Sequence, residues 1–201
     1  MKIAGLIFAG GKSSRFSDGP KEEALLSGRT LLSHVIARAA PQVDILAISR
    51  AEESATAAGG LAVVADEFQD CGPLGGLHAG LCWANELTPK AEYLATFACD
   101  TPMIPEDLVA RLLEALLKSG ASAAIAHAAG ERHPTLGLWS SALEPLARRR
   151  LEAGDYSLHA MAAAAGAAAA DFSNDDRRAL FNVNTKADLR ALEGMLGAAP
   201  L

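Results

Sequence analysis

The chain has 201 residues, of which 50% are hydrophobic but only 5% aromatic, and its formal net charge is −6. This length suits one domain, and the composition predicts a core built mostly from aliphatic side chains. The net negative charge argues against nucleic acid as the main partner, because a phosphate backbone requires a basic surface.

Apolar runs and helical periodicity predict strands and helices that alternate along the chain. Strands are expected at residues 3–9, 43–49, 61–65, 93–99, 121–126 and 135–139. Helices are expected at residues 31–41, 52–58, 107–118, 144–152, 157–165 and 186–196, and a glycine-rich turn at 71–80 opens another helix. The alternation predicts an α/β fold with a mostly parallel, doubly wound sheet, and a hairpin around Gly130 adds one antiparallel strand. The alanine-rich run 162–170 gives no clear helix boundary.

The first predicted strand runs into a loop rich in glycine, serine and basic residues. Residues 10–15 read GGKSSR, and Lys21 follows a few positions later. Glycine amides can approach phosphate oxygens closely, and Arg15 and Lys21 can supply positive charge. The loop therefore predicts a cradle for a nucleoside triphosphate, although an ordinary strand followed by a Gly-Ser turn would give the same pattern.

Two common phosphate-binding loops do not match this segment. A Walker A loop has four residues between its first glycine and Gly-Lys-Ser, but here five residues separate Gly5 from Gly11. The dinucleotide fingerprint needs a Gly-x-Gly, which this loop lacks. The remaining pattern, Gly-Gly-x-x-x-Arg followed by a lysine, resembles the signature of nucleotidyltransferases with the nucleotide-diphospho-sugar transferase fold.

Acidic residues follow two of the later predicted strands. Asp66 ends the third strand, where open α/β sheets bind ligands, but it could equally be a helix cap or a solvated loop residue. Asp100 ends the strand at 93–99 and is followed by Thr101-Pro102. The next helix begins too far on for Asp100 to cap it, so this carboxylate is predicted to hold a hard cation.

The cysteines and the apolar runs bear on the compartment of the protein. Cys71, Cys82 and Cys99 form no C-x-x-C pair, which favours free thiols over disulfides or a zinc site. The apolar stretch at the N-terminus is too short for a signal peptide, and no apolar run is long enough for a membrane-spanning helix. We therefore expect a cytoplasmic protein with no membrane or nucleic-acid partner.

Four separated segments of the chain resemble the molybdenum cofactor guanylyltransferase family. They are residues 8–15 with Lys21, residues 72–77 (GPLGGL), residues 99–102 (CDTP) with Pro105, and residues 181–185 (FNVNT) with Asp188 and Leu189. The segments occur in the order of the family and span nearly the whole chain. The resemblance implies a Rossmann-like three-layer α/β/α sandwich, which agrees with the alternation of predicted strands and helices.

The resemblance also implies roles for individual residues. The expected catalytic residues are Arg15, Lys21 and Asp100, and the expected metal ligands are Asp100 and Asn184, with Mg²⁺ as the metal. The residues expected to bind the nucleotide are Phe8, Ala9, Gly10, Gly11, Lys21, Ser49, Asp66, Gly72, Pro73, Leu74 and Asp100. Residues 1–201 would form one domain, in which residues 1–100 mainly bind the nucleotide and residues 101–196 mainly bind the acceptor.

The chain departs from the family pattern at two places. The family has methionine and glycine after the arginine and an Asp-Lys pair at the lysine, whereas here Phe16 to Pro20 intervene before Lys21. Where the family often offers asparagine to the nucleotide, this chain has Ala47-Ile48-Ser49, so Ser49 would have to take over that contact. Selectivity for guanine is therefore a weaker implication than the reaction class.

The activity that the resemblance implies is transfer of GMP from GTP to the terminal phosphate of molybdopterin. Its further partners would be molybdenum-insertion proteins or apo-molybdoenzymes and their chaperones. A CTP-dependent cytidylyltransferase acting on the same pterin, a sugar-phosphate nucleotidyltransferase and a non-catalytic cofactor carrier are the alternatives. Lys21, Asp100 and Asn184 argue against the carrier, because a protein that only carries the cofactor does not need them.

Overall fold

The computed structural model describes residues 1–9, 21–50, 60–68 and 70–197. Within these ranges, nine strands are found: β1 (Ile3–Phe8), β2 (Leu25–Leu26), β3 (Arg29–Thr30), β4 (Ile45–Arg50), β5 (Ala62–Ala65), β6 (Tyr93–Ala98), β7 (Ala123–Ala128), β8 (Glu131–Ser140) and β9 (Ala168–Asp171). The helices there are α1 (Leu31–Ala39), α2 (Gly72–Glu86), α3 (Leu108–Ser119), α4 (Glu144–Glu152), α5 (Leu158–Ala164) and α6 (Lys186–Gly197). None of the helices in the described ranges is long and apolar enough to cross a membrane.

Seven strands form one sheet, in the order β5-β4-β1-β6-β8-β7-β9. β8 is antiparallel to both of its neighbours, β6 and β7, and the other strands all point the same way. A tight turn at Ala129 and Gly130, both with positive φ, joins β7 to β8. The structure therefore confirms the mostly parallel sheet and the antiparallel strand predicted around Gly130.

Helices cover both faces of the sheet, because the buried strands are apolar on both sides. In β1, Ile3 and Ile7 face the core formed with α1 and α3, and Ala4 and Leu6 face the core formed with α2, α4 and α5. α6 closes the chain and packs Leu192 in a smaller cluster with Leu26, Leu31 and Val183. This arrangement confirms the predicted three-layer sandwich.

Local sequence signals explain several of the helix ends. Thr30 accepts a hydrogen bond from the Ser33 N–H at 3.1 Å and caps α1, as predicted. Ser157 caps α5 in the same way, through the Ala160 N–H at 3.2 Å. Gly120, with a φ of +67°, ends α3 in the left-handed conformation that glycine adopts without strain.

One predicted element is wrong. The segment 71–80 was expected to be a glycine-rich turn before a helix, but α2 begins at Gly72 and includes the whole of the segment after Cys71. The glycines lie inside the helix because it packs closely on the sheet, and a Cβ at Gly80 would lie only 2.6 Å from Leu6 Cδ2. The helix predicted at residues 52–58 lies outside the described residues.

Candidate active site

The carboxyl ends of β1, β4 and β6 lie side by side at one edge of the sheet. Phe8 pairs with Ser49 of β4 and with Ala98 of β6. Beyond the strands, the Ala9 N–H donates to the Ser49 carbonyl at 3.1 Å and the Cys99 N–H donates to the Phe8 carbonyl at 3.2 Å. The register therefore brings the residues that follow three separate strands to one place, where open α/β sheets bind ligands.

A lysine and two oxygen ligands meet at this edge. Lys21 Nζ lies 2.9 Å from Asp100 Oδ2 and 2.7 Å from Asn184 Oδ1. The Lys21 and Asp100 side chains are only 15% and 27% exposed, so the ion pair is partly shielded from water. Three residues predicted from separate parts of the sequence thus converge within hydrogen-bond distance.

The backbone around Asp100 is fixed by the segment that precedes α6. The Val183 N–H donates to the Asp100 carbonyl at 2.8 Å, and Thr101 Oγ1 donates to Asn182 Oδ1 at 2.6 Å. Asp188, in the first turn of α6, accepts hydrogen bonds from the backbone N–H groups of Asn184 (2.9 Å) and Thr185 (2.8 Å). These bonds, chiefly that from Asn184, hold the pKa of Asp188 below its usual range and fix the loop that presents Asn184.

A second pair of polar side chains lies at the ends of β4 and β5. Ser49 Oγ donates to Asp66 Oδ1 at 3.0 Å. Burial raises the pKa of Asp66, and the hydrogen bond from Ser49 and the nearby His78 offset part of that rise. The carboxylate is thus held in a half-buried position where an additional hydrogen-bond donor would stabilise its charge.

Close packing of α2 shapes the wall beside this pair. A Cβ at Gly76 would lie 2.8 Å from Ser49 Oγ and 3.1 Å from the Phe8 ring. Glycine is therefore required at this position if the helix is to approach the strand ends so closely. Gly72, which begins the helix, has a φ of +60°, a conformation that other residues adopt only with strain.

A cavity of about 700 Å³ joins these features. Its described lining residues are Phe8, Ala9, Lys21, Glu22, Ser49, Asp66, Asp70, Cys71, Gly72, Pro73, Gly76, Ala98, Cys99, Asp100, Thr135 and Asn182. A volume in this range suits a nucleotide-sized ligand. Burial and the adjacent Asp100 carboxylate raise the pKa of the Cys99 thiol to about 12, so Cys99 stays protonated at neutral pH.

Most of the residues predicted from the sequence meet at this cavity. Phe8, Ala9, Lys21, Ser49, Asp66, Gly72, Pro73 and Asp100 line it, and Asn184 contacts it through Lys21. Leu74 does not line it, because its side chain is fully buried in the apolar core beneath α2. Gly10, Gly11 and Arg15 lie outside the described residues.

Several residues of the site were not predicted. Glu22 lines the cavity and pairs with Arg50 at 3.8 Å, which ties the segment that carries Lys21 to the end of β4. Asn182 and Thr135 also line the cavity. Asn182 could have been suggested by its position two residues before Asn184, in a polar segment that precedes a helix. Its hydrogen bond with Thr101 could not, because Thr101 is 81 residues away in sequence.

Residues 5–170 match the model of a known protein family, the MobA-like NTP transferase domain. The chain belongs to this family. It is therefore a nucleotidyltransferase, as the sequence predicted. Lys21, Ser49, Asp66 and Asp100 lie within the matched residues, whereas Asn182 and Asn184 lie beyond them.

Individual relatives agree with this assignment. A protein of Cereibacter sphaeroides named molybdenum cofactor guanylyltransferase is 40% identical over 197 residues, which cover 98% of each chain. A protein of the same name from Rhodopseudomonas palustris is 38% identical over 198 residues, covering 97% of this chain and 92% of the relative. The crystal structure of molybdopterin-guanine dinucleotide biosynthesis protein A from Archaeoglobus fulgidus shares the fold, with a TM-score of 0.76 at 18% identity over 96% of this chain and 98% of that one.

Within the MobA-like family fold, the site of this chain has two parts that can do different things. Lys21, Asp100 and Asn184 place charge and oxygen ligands at one end of the cavity. Ser49, Asp66 and the start of α2 form a hydrogen-bonding and tightly packed wall at the other end. The first arrangement is suited to phosphates with a cation, and the second to a flat polar group such as a base or a ribose.

Proposed function

We propose that this nucleotidyltransferase transfers GMP from GTP to the terminal phosphate of molybdopterin, with release of pyrophosphate. The observation that carries the proposal is the convergence of the Lys21 ammonium with Asp100 Oδ2 and Asn184 Oδ1 at a cavity of nucleotide size. The name of the relatives, molybdenum cofactor guanylyltransferase, supports guanine as the nucleotide base and the molybdenum cofactor, which contains the pterin, as the acceptor.

In this reaction a phosphate oxygen of the pterin forms a bond to the α-phosphorus of GTP, and the bond from that phosphorus to the oxygen that bridges to the β-phosphorus breaks. The electron pair of the broken bond leaves with pyrophosphate. Because the attacking phosphate is already ionised at neutral pH, the reaction needs no general base. The protein contributes position and positive charge, and Lys21 can supply that charge to the phosphates.

The donor set at the charged end fits a divalent metal ion such as Mg²⁺. Asp100 and Asn184 offer a carboxylate and an amide oxygen, which are ligands that hard cations prefer, and both oxygens already face one cationic nitrogen. We propose that these two residues hold the ion, which when bound would neutralise charge on the phosphates. Lys21 would then give up its contacts with them and turn to the phosphates.

The opposite end of the cavity would hold the nucleoside. We propose that Asp66, positioned by Ser49, accepts hydrogen bonds from it, and that Phe8, Ala9, Gly72 and Pro73 border it. On this view residues 1–100 mainly bind the nucleotide. Residues 101–196 would mainly bind the pterin, and Thr135 of β8 contributes to the cavity from that half.

The proposal is tested by incubating the purified protein with Mg²⁺, molybdopterin and each of the four nucleoside triphosphates in turn. The expected result is pyrophosphate release with GTP that depends on the pterin, together with a pterin product whose mass has increased by one guanylyl group, that is, GMP less one water. Faster turnover with CTP would instead assign the chain as a cytidylyltransferase. Pyrophosphate release with a sugar phosphate but not with molybdopterin would overturn the acceptor, and no turnover with any pair would overturn the proposed activity.

A further inference from the structure

A second cluster of ligating side chains lies outside the residues that line the cavity. His78 and Cys82 are one turn apart on α2, and Glu144 is the first residue of α4. His78 is fully buried, whereas Cys82 and Glu144 are partly exposed. The sequence did not predict this cluster. The cluster contains one cysteine only, and Glu144 is 62 residues from Cys82.

The three ligand atoms are spaced like the corners of a metal coordination shell. His78 Nε2 lies 3.1 Å from Glu144 Oε1 and 3.6 Å from Cys82 Sγ, and Cys82 Sγ lies 3.9 Å from Glu144 Oε1. In a tetrahedral site with zinc bonds of about 2.0 Å to nitrogen and oxygen and about 2.3 Å to sulfur, neighbouring ligand atoms are about 3.3–3.6 Å apart. The observed distances therefore need to change by only a few tenths of an ångström.

We propose that His78, Cys82 and Glu144 form a binding site for Zn²⁺ or a similar late divalent transition metal. One imidazole, one thiolate and one carboxylate are a ligand set that favours zinc over magnesium or calcium, which prefer oxygen. The site is distinct from the pair Asp100 and Asn184, which offers only oxygen atoms. The ion would link α2, whose first turn lines the cavity, to α4.

Arg148 is the cation that balances this cluster in the structure described. Its Nε lies 3.2 Å from Glu144 Oε1, the same oxygen that contacts His78, and its Nη2 lies 3.3 Å from Glu67 Oε2. The Arg148 side chain is 40% exposed and can move aside, since its guanidinium also has Glu67 as a partner. Arg148 and a metal ion would therefore compete for Glu144.

The competing explanation is a hydrogen-bonded cluster that binds no metal. Burial and the Glu144 carboxylate raise the pKa of the Cys82 thiol, so that without a metal the thiol stays protonated and can donate to Glu144. His78 packs edge-on against Phe68, with ring centroids 5.2 Å apart, and its Nδ1 has no hydrogen-bond partner among the described residues. If the cluster binds no metal, removing Arg148 should not raise zinc binding, whereas competition between Arg148 and a metal ion predicts tighter binding, so the Arg148→Ala variant separates the two explanations.

The first test is a competition titration of the purified protein with Zn²⁺ and a chromogenic chelator. It is done in the Asp100→Ala variant as well as in the unmodified chain, so that zinc bound at the active site is not counted. We expect one equivalent of zinc in the Asp100→Ala variant and at least one in the unmodified chain. With Co²⁺ as the probe we expect a sulfur-to-metal charge-transfer band, which only a thiolate ligand can give.

Variants of the ligands identify the site. Cys82→Ala and Glu144→Gln should each weaken zinc binding on the order of 100-fold or more, because loss of even an outer-shell partner typically costs 10–100-fold. Cys71→Ala, which removes a thiol at the start of the same helix, should leave zinc affinity unchanged. Absence of bound zinc in the unmodified chain, or unchanged affinity in Cys82→Ala, would overturn the proposal.

Arg148→Ala gives the sharpest distinction. If arginine and metal compete for Glu144, this variant should bind zinc more tightly than the unmodified chain, although it loses an ion pair. Arg149→Ala, an exposed neighbour with the same change in charge, is the matched control and should have little effect. Zinc affinity in Arg148→Ala no higher than in Arg149→Ala would contradict the competition and overturn the placement of the ion on Glu144.

Discussion

The two ends of the cavity are built in different ways. At one end, which we call the charged end, Lys21, Asp100 and Asn184 are held by an ion pair and by hydrogen bonds between distant parts of the chain. At the other, the packed end, Ser49 and Asp66 lie against the backbone of α2, where Gly76 leaves no room for a side chain. The function of the charged end depends on which charged and polar groups are present. The function of the packed end depends on how closely α2 approaches the ends of the strands.

This contrast predicts how the two ends respond to substitution. At the charged end, loss of one group should lower the rate with little effect on folding, because Lys21 contacts both Asp100 and Asn184 and keeps one partner when the other is replaced. At the packed end, a single added methyl group should affect both stability and nucleotide binding, since a well-packed wall cannot make room without moving.

The largest effect is expected for Asp100→Ala. The change removes the proposed metal ligand and the partner of Lys21, so we expect kcat to fall at least about 1000-fold, at the upper end of the effect of losing one electrostatic group. The measurement is pyrophosphate release at saturating Mg²⁺ and GTP. Asp100→Asn is the matched variant: it keeps the shape and one oxygen, so a much milder loss there would show that an oxygen ligand matters more than its charge.

Folding of the Asp100 variants is checked by thermal unfolding. The Asp100 backbone carbonyl still accepts the Val183 N–H, so the loop should stay in place and the Tm should change by only a few degrees. A large drop in Tm would mean that the charged end is a structural element, which would contradict the contrast between the two ends.

Lys21→Ala should lower kcat about 100-fold, the scale for deleting one electrostatic stabiliser of a transition state. The fall should be smaller than for Asp100→Ala, because Asp100 and Asn184 remain available for the proposed metal ion. Lys118→Ala is the control, since that lysine is 75% exposed and pairs only with Glu114 on its own helix among the contacts described. Kinetics of Lys21→Ala equal to those of the control would remove Lys21 from the reaction.

Much of the fold could be predicted from the sequence, because continuous apolar runs and helical periodicity are local signals. The first strand, the helix capped by Thr30, the helix Glu144–Glu152 and the antiparallel strand near Gly130 all follow from such signals. α2 was predicted incorrectly at its start because glycine normally disfavours helices, and the reason for its glycines is contact with strands elsewhere in the chain. Strand β9 lies in an alanine-rich run, where pairing with β7 rather than local preference decides the structure.

Parts of the site could be predicted from the sequence where a charged or polar residue directly follows an apolar strand or a glycine-rich loop. Asp100 stood out in this way, Lys21 stood out as a basic residue after the glycine-rich loop, and Asn184 was implied only by the family resemblance. The structure brings the three together. Thr101 and Asn182 did not, because a hydrogen bond between residues 81 positions apart leaves no local pattern. The resemblance implied that Leu74 binds the nucleotide because it lies in the segment GPLGGL. In the structure, the orientation of α2 places its side chain in the apolar core.

Gly76→Ala tests the packed end. Its Cβ would lie 2.8 Å from Ser49 Oγ and 3.1 Å from the Phe8 ring, so we expect a loss of about 1–3 kcal/mol in the free energy of unfolding. For a chain of this size that is a fall in Tm of roughly 2–4 °C per kcal/mol. The KM for the nucleotide should rise as well, because the wall of the cavity moves.

Gly194→Ala is the matched control for Gly76→Ala. Gly194 lies in α6, where an added Cβ would meet no atom within 4 Å. Alanine favours a helix interior over glycine by about 1 kcal/mol, so this variant should raise the Tm slightly and leave the KM unchanged. Equal effects of the two substitutions would show that α2 does not need its close approach.

The smallest effect is expected for Asp66→Asn, and it depends on pH. Burial raises the pKa of Asp66 in the folded protein, so its contribution to stability is fully present below the unfolded-state pKa near 3.8 and is lost as the pH rises through the folded-state pKa. The asparagine side chain has no charge to bury and can still accept the hydrogen bond from Ser49. At neutral pH the variant should therefore be more stable than the unmodified chain, by less than about 1 kcal/mol because water screens a half-buried group.

Thermal unfolding of both proteins between pH 3.5 and pH 8 measures this difference, which should shrink as the pH falls. If Asp66 binds the nucleoside as proposed, the same variant should raise the KM for GTP at neutral pH while kcat changes little, since the charged end is intact. An Asp66→Asn variant that is less stable than the unmodified chain at neutral pH would mean that the carboxylate is stabilised rather than penalised by its surroundings. Electrostatic interactions would then stabilise a charged group at the packed end as they do at the charged end, which would contradict the contrast between the two ends.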